Sequence, residues 1–164
     1  MTSALLLPLF LANALSVAFF ILALYWPDRA RRIAGGGFVV ASLVNATLAV
    51  FNPQIYVRVF GPYAVGIYKD VIYGLLAKAT TRLVLALAVW QLIVAAIILI
   101  NSTEYVRLGC VAMAIFFLGV SPLGVGSAFP STLILAAGML VLVRHRWPIQ
   151  PETPAPEPRA RMKV

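Results

Sequence analysis

Long apolar runs, separated by short polar stretches, dominate the chain. Five runs are nearly free of charged residues and cover about residues 4–26, 33–51, 83–100, 105–120 and 131–143. An α-helix rises about 1.5 Å per residue, so about 20 apolar residues cross the ~30 Å hydrocarbon core of a bilayer. The pattern therefore predicts an all-α protein, a polytopic transmembrane helical bundle of four to five spans.

The last two runs are separated by a turn signal. One unbroken helix over 105–143 would be much longer than the hydrocarbon core is thick, so the chain must turn back. The turn is predicted at 121–130, where the sequence SPLGVGSAFP holds two prolines and two glycines. Both flanking runs are short, which leaves two possibilities, a pair of full spans or a partly re-entrant hairpin inside the bundle.

The stretch between the second and third runs is amphipathic. Charged, aromatic and glycine residues are scattered through 54–82, so this stretch is not predicted to cross the membrane. Within it, one helical face is apolar and includes Ile67, Val71, Ile72 and Leu75. We predict an interfacial helix over 67–78 with that face turned towards the spans, either as a connector on the membrane surface or as a cover over a cavity.

The distribution of basic residues predicts the orientation. If the chain has five spans, nine of its 13 lysines and arginines lie on the side of the C-terminus and four on the other side. Because basic loops stay in the cytoplasm, the C-terminal tail is predicted to be cytoplasmic, and a four-span count leads to the same side. We predict a helical bundle over 1–147 and a disordered, Pro-rich basic tail over 148–164.

Composition and charge narrow the class of partner. The chain is 62% hydrophobic and only 11% charged, too few polar residues to cover a soluble globule of 164 residues. The net charge of +8 comes from residues at the ends of the apolar runs and in the tail. This arrangement favours contact with anionic lipid headgroups over nucleic acid, so the lipid bilayer is the expected partner.

The residue types used for metal binding and catalysis are scarce. Cys110 and His145 are the only residues of their kinds, so the chain alone is predicted to hold no metal site and no haem, and Cys110 is predicted to be a buried thiol. Asp70 and Glu104 are candidate acid–base groups, but each stands among basic neighbours, where an ordinary ion pair is the expected role. No catalytic residue is predicted.

Two amides lie inside predicted spans and are the candidate binding residues. Asn45 falls within the second run and Gln91 near the middle of the third. An amide left unpaired in hydrocarbon costs a few kcal/mol, so each must bond either the other or a polar group of a ligand. We therefore consider Asn45 and Gln91 as possible polar groups of a cavity that binds a lipid or a quinone.

Five short motifs occur in a recognisable order. They are NPQIY (52–56), YKD (68–70), RLG (107–109), FFL (116–118) and SPLG (121–124). In this order the chain resembles the DoxX-like small integral membrane proteins of bacteria. The resemblance implies a compact helical bundle in the bacterial cytoplasmic (inner) membrane. Some proteins of this type are linked to membrane redox complexes and quinones, and most have no assigned function. It carries over no active-site residue, because the family has no agreed catalytic signature.

Three functions are compatible with these features. The leading expectation is a non-catalytic membrane protein, an accessory subunit of a redox complex that binds a membrane protein partner, a second copy or a quinone-like lipid. A small transporter or channel component is the first alternative, although such proteins normally place charged groups at mid-span. The second alternative is an interfacial lipid-modifying enzyme that uses Asp70 or Glu104 as acid or base.

Overall fold

Helices form the regular structure of the protein. The computed structural model describes residues 3–100, 102–145 and 147, and these include no strand. The α-helices in chain order are α1 (Ser3–Tyr25), α2 (Pro27–Phe51), α3 (Gln54–Phe60), α4 (Ile67–Val71), α5 (Ala77–Leu99), α6 (Thr103–Val120) and α7 (Ser131–Arg144). A π-helical turn (Ile72–Leu76) joins α4 to α5, and a 3-10 segment (Ser121–Ser127) follows α6.

The predicted all-α transmembrane bundle is confirmed. In the described part of the chain, four helical stretches are long and apolar enough to cross a membrane: Leu6–Tyr25, Pro27–Phe51, Ile67–Leu99 and Thr103–Ser127. A further apolar helix, α7, has 14 residues and is about 21 Å long, shorter than a typical hydrocarbon core. The predicted tail over 148–164 lies outside the described residues.

The second membrane helix begins earlier than the apolar run. It was expected at about residue 33, but α2 starts at Pro27 and takes the arginines of the predicted loop into its first turns. The fixed φ of proline suits the first position of a helix, and Asp28 adds a negative charge near the positive helix end. These two local signals outweigh the polarity of the segment.

The predicted interfacial helix is the beginning of the third span. A helical stretch of 33 residues covers Ile67–Leu99, which is more than a straight helix needs to cross a ~30 Å hydrocarbon core. The π-helical turn Ile72–Leu76 lies in this stretch, and Ala79 has non-helical dihedral angles (φ −136°, ψ 29°). Residues 67–78 and the span are thus two parts of one kinked helix.

The inward face of this segment differs from the prediction. Ile67, Val71 and Leu75 were expected to face the spans, but they are exposed, Ile67 to 72%. Ile72, at 3%, is the buried one. The face turned inward is instead the one that holds buried Ile72 and half-buried Leu76, four positions apart. Both faces of this segment carry apolar residues, so the hydrophobic pattern alone does not select the inward one.

The predicted turn between α6 and α7 is confirmed, and it packs against α3 and the loop that follows α3. The backbone N–H of Val65 donates to Pro122 O at 3.3 Å. A Cβ atom at Gly124, which has a φ of +64°, would lie 2.7 Å from Tyr63 O, and one at Gly126 would lie 2.7 Å from Val59 O. We call residues 54–66 and 121–127 together the cap, because they close one end of the bundle.

A buried arginine holds the opposite end of the bundle together. Arg31 was expected among lipid headgroups, but it is only 4% exposed. Its Nη1 donates to Ile98 O at 2.9 Å and to Ile100 O at 3.2 Å, and its guanidinium lies 5.4 Å from the centre of the Trp147 ring. The last carbonyls of a helix lack intrahelical donors, so Arg31 supplies hydrogen-bond donors to the carbonyls at the end of α5.

The largest apolar core lies between this arginine and the cap. Its fully buried side chains include Ile98, Cys110, Met113, Met139 and Leu142, which come from α5, α6 and α7. Cys110 is a buried thiol, as the sequence predicted. The same core includes Ala23 of α1 and Phe38 of α2, so close packing joins all five long helices.

Candidate functional site

A cavity of about 470 Å³ lies between the cap and the membrane helices. Residues from the cap, the π-helical turn and four helices line it: Asn45, Tyr56, Phe60, Ile72, Leu76, Val84, Leu87, Phe116, Phe117, Val120, Leu123, Gly126, Ser127, Ser131, Thr132 and Leu135. Most of these side chains are apolar. The few polar ones are neutral and lie on two walls, one formed by α2 and α3 and the other by the end of the 3-10 segment and the start of α7.

The first polar wall is a chain of three side chains. The Tyr56 hydroxyl donates to Asn45 Oδ1 at 2.8 Å, and Asn45 Nδ2 donates to Gln91 Oε1 at 2.8 Å. Tyr56 belongs to α3, Asn45 to α2 and Gln91 to α5. The chain therefore ties the cap to the two membrane helices beneath it.

The structure places the two predicted binding amides differently. Asn45 lines the cavity, whereas Gln91 is 2% exposed and is not among the lining residues. The sequence left open whether these amides pair with each other or with a ligand, and here they pair with each other. A direct contact of either amide with a ligand stays a prediction.

The second polar wall lies at the start of α7. Ser131 and Thr132 both line the cavity and are both buried. The hydroxyls of Thr132 and Ser121 share a hydrogen bond of 3.0 Å, and Ser121 also donates to Phe117 O at 2.8 Å. Sequence reasoning missed this wall, because serine and threonine after Pro130 are typical of a turn. The available signal was their position at the very start of the last apolar run.

Aromatic rings form the side of the cavity that faces the core. Phe116 and Phe117 line it, and each packs edge-on against Phe38, with ring centres 5.5 and 5.7 Å apart. Trp90 lies 5.7 Å from Phe116. Such tilted and edge-to-face pairs are favourable and restrict side-chain rotation. This wall is therefore well ordered and apolar.

The cavity is electrically neutral. None of the described residues that line it carries a formal charge. Burial raises the pKa of the Tyr56 hydroxyl above its ordinary value, so this group remains protonated and donates its proton at neutral pH. A charged molecule placed here would lose its hydration without gaining a counter-ion, whereas an uncharged molecule needs no counter-ion.

The candidate catalytic carboxylates lie elsewhere. Asp70 and Glu104 are both exposed, and neither lines the cavity. Each carboxylate was expected to form an ion pair, and this is wrong for the described part of the chain. The ion pair that occurs there joins Arg31 to Asp28 at 3.8 Å. Both carboxylates are instead solvated. Among the described residues, no group of three or more His, Cys, Asp or Glu side chains comes together to hold a metal ion.

Comparison with known proteins returns no relative. No protein-family model matches the chain, and no curated protein or solved structure matches it. The resemblance to DoxX-like proteins thus rests on the short motifs of the sequence alone. The function must be inferred from the membrane helices and the cavity.

Proposed function

We propose that the protein is a non-catalytic membrane protein that binds an uncharged, lipid-soluble molecule, such as a quinone-like lipid, in the cavity beneath the cap. The observation that carries this proposal is the cavity itself, about 470 Å³ with a mostly apolar lining and neutral hydrogen-bonding groups on two walls. Ligand pockets typically measure about 300–1,000 Å³ and combine an apolar lining with a few polar groups that orient the ligand.

The cap supports the same proposal. Its two parts contact each other through backbone atoms at positions where only glycine fits, so they form a tight cover at one end of the bundle. The cavity lies next to helices that are apolar enough to lie in lipid. A lipid-soluble molecule is concentrated in that environment, whereas a polar solute is not.

The wider setting that we propose follows from the sequence motifs and the basic residues. The protein is a DoxX-like, multi-pass protein of the bacterial inner membrane with a cytoplasmic tail, and it serves as an accessory subunit of a membrane redox complex. A reporter fused after Val164 tests the orientation. Activity of a cytoplasmic reporter supports it, and activity of a periplasmic reporter overturns it.

The two alternative functions have less support. A transporter or channel of ions needs charged or strongly polar groups along a path, and the polar groups around this cavity are neutral. A lipid-modifying enzyme needs its acid or base within hydrogen-bond reach of the substrate, and Asp70 and Glu104 lie outside the cavity.

Binding of a defined probe tests the proposal. Decylubiquinone is titrated into the detergent-purified protein and into two variants with an added tryptophan in α5. Leu87→Trp fills part of the cavity, and Val89→Trp changes an exposed residue of the same helix. Leu87→Trp is expected to weaken binding by about tenfold or more, because an overfilled site excludes its ligand, and Val89→Trp is expected to leave it unchanged.

A variant on another helix guards against a local folding defect. Leu135→Trp in α7 also fills the cavity and should weaken binding in the same way. Melting temperatures of all variants show whether each is folded. Equal binding by the wild type, Leu87→Trp and Leu135→Trp would overturn the proposal.

A further inference from the structure

One hydroxyl that lines the cavity has no hydrogen-bond partner among the described residues. Ser131 is 4% exposed and lines the cavity. In the part of the chain that the structure describes, its side chain makes no hydrogen bond, although its backbone N–H donates to Ala128 O at 2.9 Å. A hydroxyl that lines a cavity and has no protein partner is free to bond a polar atom of a ligand.

The neighbouring hydroxyls of the same wall are already used. Ser121 has one proton and two oxygen neighbours, Phe117 O at 2.8 Å and Thr132 Oγ1 at 3.0 Å. A hydroxyl can donate only once, so if the Ser121 proton goes to Phe117 O, the shared bond uses the proton of Thr132. Ser127 donates to Gly124 O at 3.0 Å. Ser131 is therefore the hydroxyl of this wall whose proton remains available.

The position of Ser131 favours an acceptor atom as its partner. It is the first residue of α7, a helix of 14 residues, and no side chain forms a hydrogen bond that closes the start of that helix. The first turn of a helix carries a partial positive charge and attracts electron-rich atoms. The cavity holds no cation among the described residues that line it, so the acceptor belongs to an uncharged group.

We infer that the Ser131 hydroxyl binds a carbonyl oxygen of the ligand and so determines which lipid-soluble molecules the cavity selects. This inference rests on the proposed function and adds the chemical class of the ligand, an apolar molecule that carries an uncharged carbonyl group. The carbonyl lies against the start of α7, and the apolar part lies along Phe116 and Phe117. The carbonyl belongs either to a quinone ring or to the ester of a neutral glycerolipid.

A pair of variants of equal size tests the hydroxyl. Ser131→Thr keeps the hydroxyl, and Ser131→Val replaces it with a methyl group of similar volume. Binding of decylubiquinone and of dioctanoylglycerol is measured separately for the wild type and both variants. We expect Ser131→Val to bind the preferred probe about fivefold more weakly than Ser131→Thr, the effect of one lost neutral hydrogen bond.

The control variant lies outside the cavity. Thr47→Val removes an exposed hydroxyl of α2 that donates its proton to Leu43 O of the same helix. It is expected to leave binding of both probes unchanged. The melting temperature of Ser131→Val should match that of Ser131→Thr, because no protein–protein hydrogen bond is lost.

The outcomes separate this inference from the proposed function. A hydroxyl-dependent loss with decylubiquinone assigns the carbonyl to a quinone, and a loss with dioctanoylglycerol assigns it to an ester. If a probe binds the wild type but binds Ser131→Val and Ser131→Thr equally, the role of Ser131 is overturned and the proposed function stands. If neither probe binds the wild type, the proposed function and this inference both fail.

Discussion

The side-chain amide of Asn45 donates a hydrogen bond of 2.8 Å to the side-chain carbonyl of Gln91 and so joins α2 to α5 inside the bundle. Tyr56 extends this bond into a chain of three side chains, because its hydroxyl donates to the other end of the Asn45 amide. The amides predicted to meet a ligand are thus the connection between the cap and the membrane helices.

A double-mutant cycle tests this connection. Asn45→Leu and Gln91→Leu each leave the other amide without its partner, and the double variant removes both. We expect each single variant to destabilise the protein by about 1–3 kcal/mol, with a coupling between the two sites of about 1 kcal/mol. Unfolding in SDS mixed micelles measures both. Strictly additive effects would show that the bond contributes nothing.

Tyr56 predicts a pH dependence of stability. Burial raises the pKa of its hydroxyl above the ordinary value of 10.0, so the folded protein holds this proton more tightly than the unfolded chain does. The resulting stabilisation is complete below pH ~10 and is lost as the pH rises through the pKa of the folded protein. Unfolding measured between pH 8 and pH ~11 should show this decline.

The matched controls for Tyr56 are two phenylalanine variants. Tyr56→Phe should lose about 1 kcal/mol at neutral pH, since Asn45 Oδ1 loses its donor, and should show a shallower decline at high pH. Tyr105→Phe changes an exposed tyrosine of α6 and should behave as the wild type does. An unchanged decline in Tyr56→Phe would contradict the assignment.

Arg31 is predicted to stabilise the end of the bundle opposite the cap. Arg31→Met removes the donors for Ile98 O and Ile100 O and should destabilise the protein by about 3 kcal/mol, because buried carbonyls lose charge-assisted bonds. Arg32→Ala changes an exposed arginine one position further along and should cost less than about 0.5 kcal/mol. SDS unfolding of both variants checks this. Each variant removes one positive charge, so equal losses of stability would mean that Arg31 acts only through its charge.

The close contact within the cap predicts a strong effect of one methyl group. Gly126→Ala places a Cβ 2.7 Å from Val59 O, so the two parts of the cap must separate. We expect a loss of about 1–3 kcal/mol and weaker binding of decylubiquinone. Gly119→Ala in α6 meets nothing within 4 Å and should be neutral or stabilising by up to about 1 kcal/mol. Wild-type binding by Gly126→Ala would show that the cap does not close the cavity.

The sequence predicted the helical bundle because hydrophobic length is a direct signal of a membrane span. The turn before α7 was also predictable, since Pro122, Gly124, Gly126 and Pro130 oppose a continuous helix. The start of α2 was not, because an arginine in a polar stretch is typical of a loop. Only the packed structure shows that carbonyls at the end of α5 lie within reach of Arg31.

The candidate site was predictable in part. The sequence identified Asn45 as a polar group beneath a segment over 67–78, and Asn45, Ile72 and Leu76 do line one cavity. The face of that segment was wrong, because apolar residues lie on more than one of its faces and hydrophobicity alone does not select the inward one. Ser131 was missed because its place in the cavity depends on how α7 packs against the cap, which the sequence does not show.

The most direct test of the proposed function is the identity of the molecules that remain bound after purification. Mass spectrometry of the organic extract compares the wild type with Leu87→Trp and Val89→Trp, all purified in mild detergent. The proposal predicts one uncharged, lipid-soluble molecule at about one per protein in the wild type and Val89→Trp, and its depletion in Leu87→Trp. The same bulk phospholipids in equal amounts in all three, with no enriched molecule, would contradict it.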